Sequence, residues 1–213
     1  MNKLIKHIKH PRKALWDLWL RCSRFIPSDT FYLKVFYRLG MGEKLDLNNP
    51  KTFNQKLQWL KLNYNDERFA QMVDKYGVRE IIRKEIGEEF LIPLLGVWDK
   101  FNDIDFNKLP NQFILKATHD SGSYVICEEK STFNINNARR RLSRTLRNNY
   151  FYWGREYPYK NVTPRIIAEK YIVDESGYEL KDYKFFCFNG VPQLFYVVTD
   201  RNIGNPKFDF FDK

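Results

Sequence analysis

The chain has 213 residues, 43% of them hydrophobic and 17% aromatic, enough for one sizeable core or two small lobes and too apolar for a disordered chain. Cys22, Cys127 and Cys187 are widely spaced with no CxxC pair, which argues against a disulfide framework or a structural zinc site. No run of about eighteen uncharged apolar residues offers a membrane span, and the net charge of +10 favours an anionic partner without choosing among nucleotide, acidic glycan, phospholipid surface and nucleic acid.

Met1 to Phe25 carries seven Lys or Arg against one Asp. Leu4, Ile5, Ile8, Leu15, Trp16, Trp19 and Leu20 are spaced to put apolar groups on one side of a helix interrupted near Pro11. Such a basic amphipathic segment suits either an anionic membrane surface or packing on the body of the protein, and residues 1–47 are set apart as an N-terminal extension. Charges at Lys6, Lys9, Arg12 and Lys13 interrupt what a secretory signal requires, so the expected location is cytoplasmic, with peripheral membrane contact through this extension.

From Asn49-Pro50 the pattern predicts a helix capped by Thr52, with Phe53, Leu57 and Leu60 on its apolar face. Asp66 to Ile86 reads as one or two further helices that turn Phe69, Met72, Val73, Tyr76, Val78, Ile81 and Ile82 inward. Short apolar runs at Leu94–Trp98, Phe113–Ala117 and Tyr124–Cys127 read as strands, and Ile135, Ala138, Leu142 and Leu146 mark an amphipathic helix over 134–149. Asn148 to Lys160 is an aromatic loop. In the last third, Asn189-Gly190 separates Tyr183–Phe188 from Val191–Thr199, and because both central residues of a tight hairpin turn need positive φ, this pair signals antiparallel sheet. The expected fold class is α+β, a helical first part followed by antiparallel sheets.

Three segments can carry chemistry. Phe113 to Ile126, FILKATHDSGSYVI, delivers Lys116 on a strand before a polar loop, where Ser121, Gly122 and Ser123 offer backbone N–H groups to an anion. An ordinary hairpin reads the same way. In Arg165–Ile172, RIIAEKYI, Glu169 sits inside an apolar run, which suits a strand whose end reads the edge of a base, or an edge strand with solvated charges. In Leu180–Gly190, period two puts Asp182, Lys184 and Phe186 on one face, and Arg201 lies at the end of the next strand. Lys75, in VDKYGVRE, reads as a helix lysine. His7, His10 and His119 are too scattered for a metal triad, and the arginines from Arg139 to Arg147 suit either a solvated helix face or nucleic-acid contact, the solvated face being preferred.

Taken in order, NPKTFNQKLQWLKL, DKYGVRE, LIPLLGVWD, FILKATHDSGS, YPYKNVTPRIIAEKYI and LKDYKFFCFNG resemble the TupA-like ATP-grasp family of bacterial capsule and teichuronopeptide biosynthesis, from about Pro27 onward. The resemblance implies that residues 48–213 form an ATP-grasp-like domain using ATP and Mg2+ as an ATP-dependent carboxylate-amine ligase. It implies that Lys75 and Lys116 contact the phosphates under the Ser121–Ser123 loop, that Glu169 holds the adenine or ribose side, and that Lys170 and Ile172 read the base through their backbone beside Tyr171. Lys184 and Arg201 would face the phosphates or the acyl phosphate, and the partner would be an anionic polysaccharide precursor or an amino acid. The family loop usually reads His-Gly-Ser-Gly-Gly, whereas here Asp120 and Ser123 replace two glycines. The segment expected to bear the magnesium ligands lies past Lys213, which leaves the metal residues unknown and makes an inactive, shortened ligase one expectation. A glycosyltransferase-like role and a basic binding module are the alternatives.

Overall fold

The computed structural model describes residues 11–177, 179–201 and 204–212. They form an α+β fold in two compact units, the first ending at Lys170 and the second beginning at Tyr171. In the first unit five helices come before the sheet: α1 Pro11–Cys22, α2 Asp29–Met41, α3 Phe53–Asn63, α4 Arg68–Val73 and α5 Val78–Glu85. Strands β1 Leu94–Trp98, β2 Phe113–Ala117 and β3 Tyr124–Cys127 follow, then α6 Ile135–Leu146, α7 Phe151–Gly154 and β4 Ile166–Lys170. The three first strands have the bounds that their apolar runs predict.

The sheet has the order β1-β4-β2-β3 and is antiparallel throughout. Because side chains alternate along a strand, Phe113, Leu115 and Ala117 of β2, with Ile166 and Ala168 of β4, share one buried face. They join Ala138 and Leu142 of α6 and Phe101, Ile104 and Leu109 in the main core. The opposite face carries Ile114 and Lys116 beside Ile167 and Glu169. One amphipathic helix thus covers one side of the sheet and leaves the charged residues of β2 and β4 on the other.

Tyr32, Leu33, Tyr37 and Leu45 form a second, smaller core. Trp16 lies 4.3 Å from Phe36 and Trp19 stacks on Tyr32 at 5.7 Å, so the tryptophans of α1 pack on α2, while Leu15 and Leu18 stay exposed. The part of the basic segment over residues 1–10, with His7 and His10, lies outside the described residues. Arg155, fully buried, bonds Asp29 at 2.8 Å, donates to the carbonyls of Ser23 and Ile26, and lies over the Tyr32 ring at 4.3 Å. The Tyr32 hydroxyl donates to the carbonyl of Trp153 at 2.8 Å, and burial pushes its pKa up to about 12. The N-terminal helices are therefore tied to the segment after α7.

Two helical faces differ from expectation. In α3 the apolar stripe Phe53, Leu57 and Leu60 is exposed, and Gln58 is the buried residue. Gln55 is drawn back into a capping box with Thr52, and Lys61 reaches the Gly154 carbonyl at 2.9 Å. Leu62 of the same helix packs on the second core, so Gln58, Lys61 and Leu62 face inward in place of the expected stripe. Met72 and Tyr76 are exposed as well, and the one buried residue of α5 is Arg79.

The second unit holds β5 Asp182–Phe188, β6 Val191–Thr199 and β7 Lys207–Asp212 in the antiparallel order β5-β6-β7. Asn189 and Gly190 have φ of 51° and 78°, the left-handed pair that the hairpin turn requires. Phe185, Phe195 and Phe211 stack across the three strands with ring centroids 5.1 and 4.9 Å apart.

Candidate functional site

β2 and β4 pair so that Ile114 faces Glu169 and Lys116 faces Ile167. Lys116 and Glu169 therefore lie on one face as diagonal neighbours, within reach of long side chains. The Lys116 Nζ donates to Glu169 Oε2 at 2.6 Å, and the other oxygen, Oε1, accepts from Arg79 Nη1 at 3.0 Å. The second arm of the Arg79 guanidinium donates to the Ile92 carbonyl at 2.7 Å. Glu169 and Arg79 are buried, whereas the Lys116 side chain keeps a quarter of its surface exposed. A carboxylate held by a guanidinium from behind thus presents a lysine toward solvent, and the fixed fork of arginine suits the rear position.

Lys75 is on the turn between α4 and α5 rather than in a helix. Its backbone N–H donates to the Thr118 carbonyl at 3.1 Å, which ties this turn to the loop after β2. Its ammonium donates to the Asp120 carbonyl and lies 4.0 Å from Asp120 Oδ1. Burial holds the Lys75 pKa below its usual value, and the nearby Lys116 ammonium pushes the same way, against Asp120, Asp74 and Glu169. Arg165 joins the group at 3.8 Å from the buried Asp74 and lies over the Tyr76 ring.

The loop from Thr118 to Ser123 divides into a buried base and an exposed rim. Thr118, His119 and Asp120 are buried, and Ser121 and Gly122 are exposed. His119 Nε2 lies 3.1 Å from the Thr145 carbonyl and 3.2 Å from that of Asn148. Two carbonyl acceptors mean that this nitrogen carries the proton, so the histidine moors the loop to the end of α6. At the rim, the N–H groups of Ser121, Gly122 and Ser123 donate to no acceptor among the described residues. Gly122 has φ of +94° with nothing within 4 Å of where a Cβ would stand, which leaves the backbone open to an anion. Beside it Asp120, Ser121, Ser123, Thr145, Asn148, Asn149, Tyr150 and Trp153 line a cleft of about 280 Å³.

The first unit thus gathers Lys75, Lys116, Glu169 and the Ser121–Ser123 loop. Lys170 ends β4, and its N–H donates to the Pro93 carbonyl at 3.0 Å. In the second unit Tyr171 and Ile172 are outside the strands, and the Ile172 backbone makes no hydrogen bond among the described residues. There, too, Asp182 brings Lys184 and Arg201 together, with Lys184 Nζ 3.0 Å from one oxygen and Arg201 Nη2 2.8 Å from the other.

Arg79 was not anticipated by the sequence reading. Its signal is its place beside Val78 and Ile82, inside an apolar stripe. Asp120, which the sequence marks as an acid among phosphate ligands, is turned instead to Lys75. Among the described residues no three His, Cys, Asp or Glu side chains converge as on a metal ion, and no helix is long and apolar enough to cross a membrane.

A family model described as TupA-like ATPgrasp matches residues 55–212. No curated protein and no solved structure matches the chain.

Proposed function

The chain belongs to the TupA-like ATP-grasp family, and from that premise we propose that it is an ATP-dependent carboxylate-amine ligase of bacterial surface polysaccharide assembly. The observation that carries this reading is the buried Arg79–Glu169–Lys116 chain of bonds set behind a loop with three unused N–H groups. ATP would supply the phosphoryl group that activates a carboxylate for attack by an amine. The acceptor would be an anionic polysaccharide precursor or an amino acid.

Lys75 and Lys116 are assigned to the phosphates, and the Ser121, Gly122 and Ser123 N–H groups to the oxygens between them. Fixed donors of this kind stabilise transferred charge without reorganising at the moment of reaction. Each Glu169 oxygen keeps a second lone pair, and one is assigned to a ribose hydroxyl. The Lys170 carbonyl and the Ile172 N–H are assigned to the edge of the base, with Tyr171 against its face. Lys184 and Arg201 would exchange Asp182 for anionic groups. The described residues supply no ligand set for Mg2+, and no step is assigned to it.

The basic, partly apolar surface of α1, with Lys13, Arg21, Leu15 and Leu18 exposed, supports a cytoplasmic protein held peripherally at an anionic membrane.

Hydroxylamine trapping tests the chemistry. With ATP, Mg2+ and a carboxylate substrate, the reading requires hydroxamate to form together with ADP, and both to be lost in Lys116→Ala. ADP release with no hydroxamate from any carboxylate would remove the ligase assignment.

A further inference from the structure

On the outer surface of α6, Asn137, Arg140, Arg141, Arg144 and Thr145 recur at spacings of three and four, with Asn148 just beyond, so they form one stripe. Together with Ser123 they line an open hollow of about 370 Å³. Ser123, Thr145 and Asn148 also line the cleft beside the Ser121–Ser123 loop, so the two hollows adjoin at the end of α6.

The charge here is uncompensated. Arg68, Arg79, Arg83, Arg155, Arg165 and Arg201 each have a carboxylate partner. Among the described residues, Arg139, Arg140, Arg141, Arg144 and Arg147 have none, and the pairs Arg140/Arg144, Arg141/Arg144 and Arg144/Arg147 set like charges three or four residues apart. Arg140 bonds only the Asn137 amide oxygen at 3.2 Å, and Arg141 lies over the Tyr124 ring. Without carboxylate partners these cations leave the hollow positively charged, which favours a polyanion.

We infer that this arginine-lined hollow binds an acidic oligosaccharide, the carboxylate-bearing acceptor, and leads its end to the loop that carries the phosphates. The second half of this statement rests on the ligase reading above. Guanidinium forks take carboxylates in two parallel bonds. At 1.5 Å of rise per residue, Arg140 and Arg144 stand about 6 Å apart along the helix, one turn from each other on the same face. The remaining lining is amide and hydroxyl, which suits sugar hydroxyls. A nucleic acid would want rings to stack on, and among the described residues no aromatic side chain lines this hollow.

The full chain, without nucleotide, is titrated with oligogalacturonate, and separately with oligouridylate and poly-L-glutamate of equal charge. The acidic sugar is expected to bind most tightly, and Arg140→Gln/Arg144→Gln to weaken it about tenfold or more. Lys56→Gln/Lys84→Gln, which removes the same charge from exposed helical sites elsewhere, is expected to bind as the parent does. Equal or tighter binding of either other polymer, no binding at low salt, or an equal loss in both double variants would overturn the assignment. If oligogalacturonate binds as stated while ATP does not, the glycan site stands and the ligase reading falls. If ATP binds and the sugar does not, the reverse holds.

Discussion

Lys116 Nζ lies 2.6 Å from Oε2 of Glu169, two positions out of register on the adjacent strand, and Arg79 closes on the other oxygen. Removing a buried carboxylate from between two cations leaves both uncompensated. Glu169→Ala is expected to lower stability by about 3 kcal/mol, read as a fall in the urea midpoint at constant slope. A midpoint within error of the parent would show that the carboxylate is not shared in solution.

Arg79→Lys tests the fork. A lysine keeps the charge but has no second fixed arm with which to reach Glu169 and the Ile92 carbonyl together. The expected cost is about 1–2 kcal/mol, for one hydrogen bond to a charged group lost beside a buried carbonyl. Full stability in Arg79→Lys would mean that charge alone is needed there.

Arg155→Leu removes the donors to the Ser23 and Ile26 carbonyls and the partner of Asp29. Trypsin cleavage after Arg24 is expected to accelerate at least about tenfold, as a loss of about 1.4 kcal/mol or more in local opening requires. Unchanged cleavage would show that the segment before Ser28 is held by the contacts of α1 with α2 rather than by Arg155.

Lys75 carries a pH prediction. Burial, reinforced by the Lys116 charge, lowers its pKa below the usual 10.5, so the folded protein releases this proton before the unfolded chain does. Between those two values the unfolded state binds more protons and stability rises with pH, while attraction for anions falls. Nucleotide affinity is therefore expected to decline at a pH below 10.5 in the parent, and to hold through that range in Lys75→Arg, whose charge does not titrate. The same decline in both proteins would place its origin elsewhere.

Much of the fold is legible in local pattern. Strands β1, β2 and β3 and the Asn189-Gly190 hairpin follow from apolar runs and turn chemistry, because those signals act between neighbours in sequence. Arg79 is different: it reads as a helix arginine until Glu169, ninety residues away, is brought beside it. The rotation of α3 is hidden for the same reason, since Lys61 meets Gly154 from a distance of 93 residues. Among the candidate residues, period two places Lys116 on a strand face in the first unit and, separately, Asp182 beside Lys184 in the second. That Lys75 sits on a turn beside Asp120 depends on the Thr118 bond, which no spacing within either segment reveals.

Calorimetric titration of the full chain with ATP in the presence of Mg2+, repeated on Lys116→Ala, bears most directly on the claim that the β2–β4 face and its loop hold a nucleotide. Saturable binding in the parent, weakened about tenfold or more in a variant that remains folded, is the expected result. No binding by the parent, or equal binding by both proteins, would contradict it.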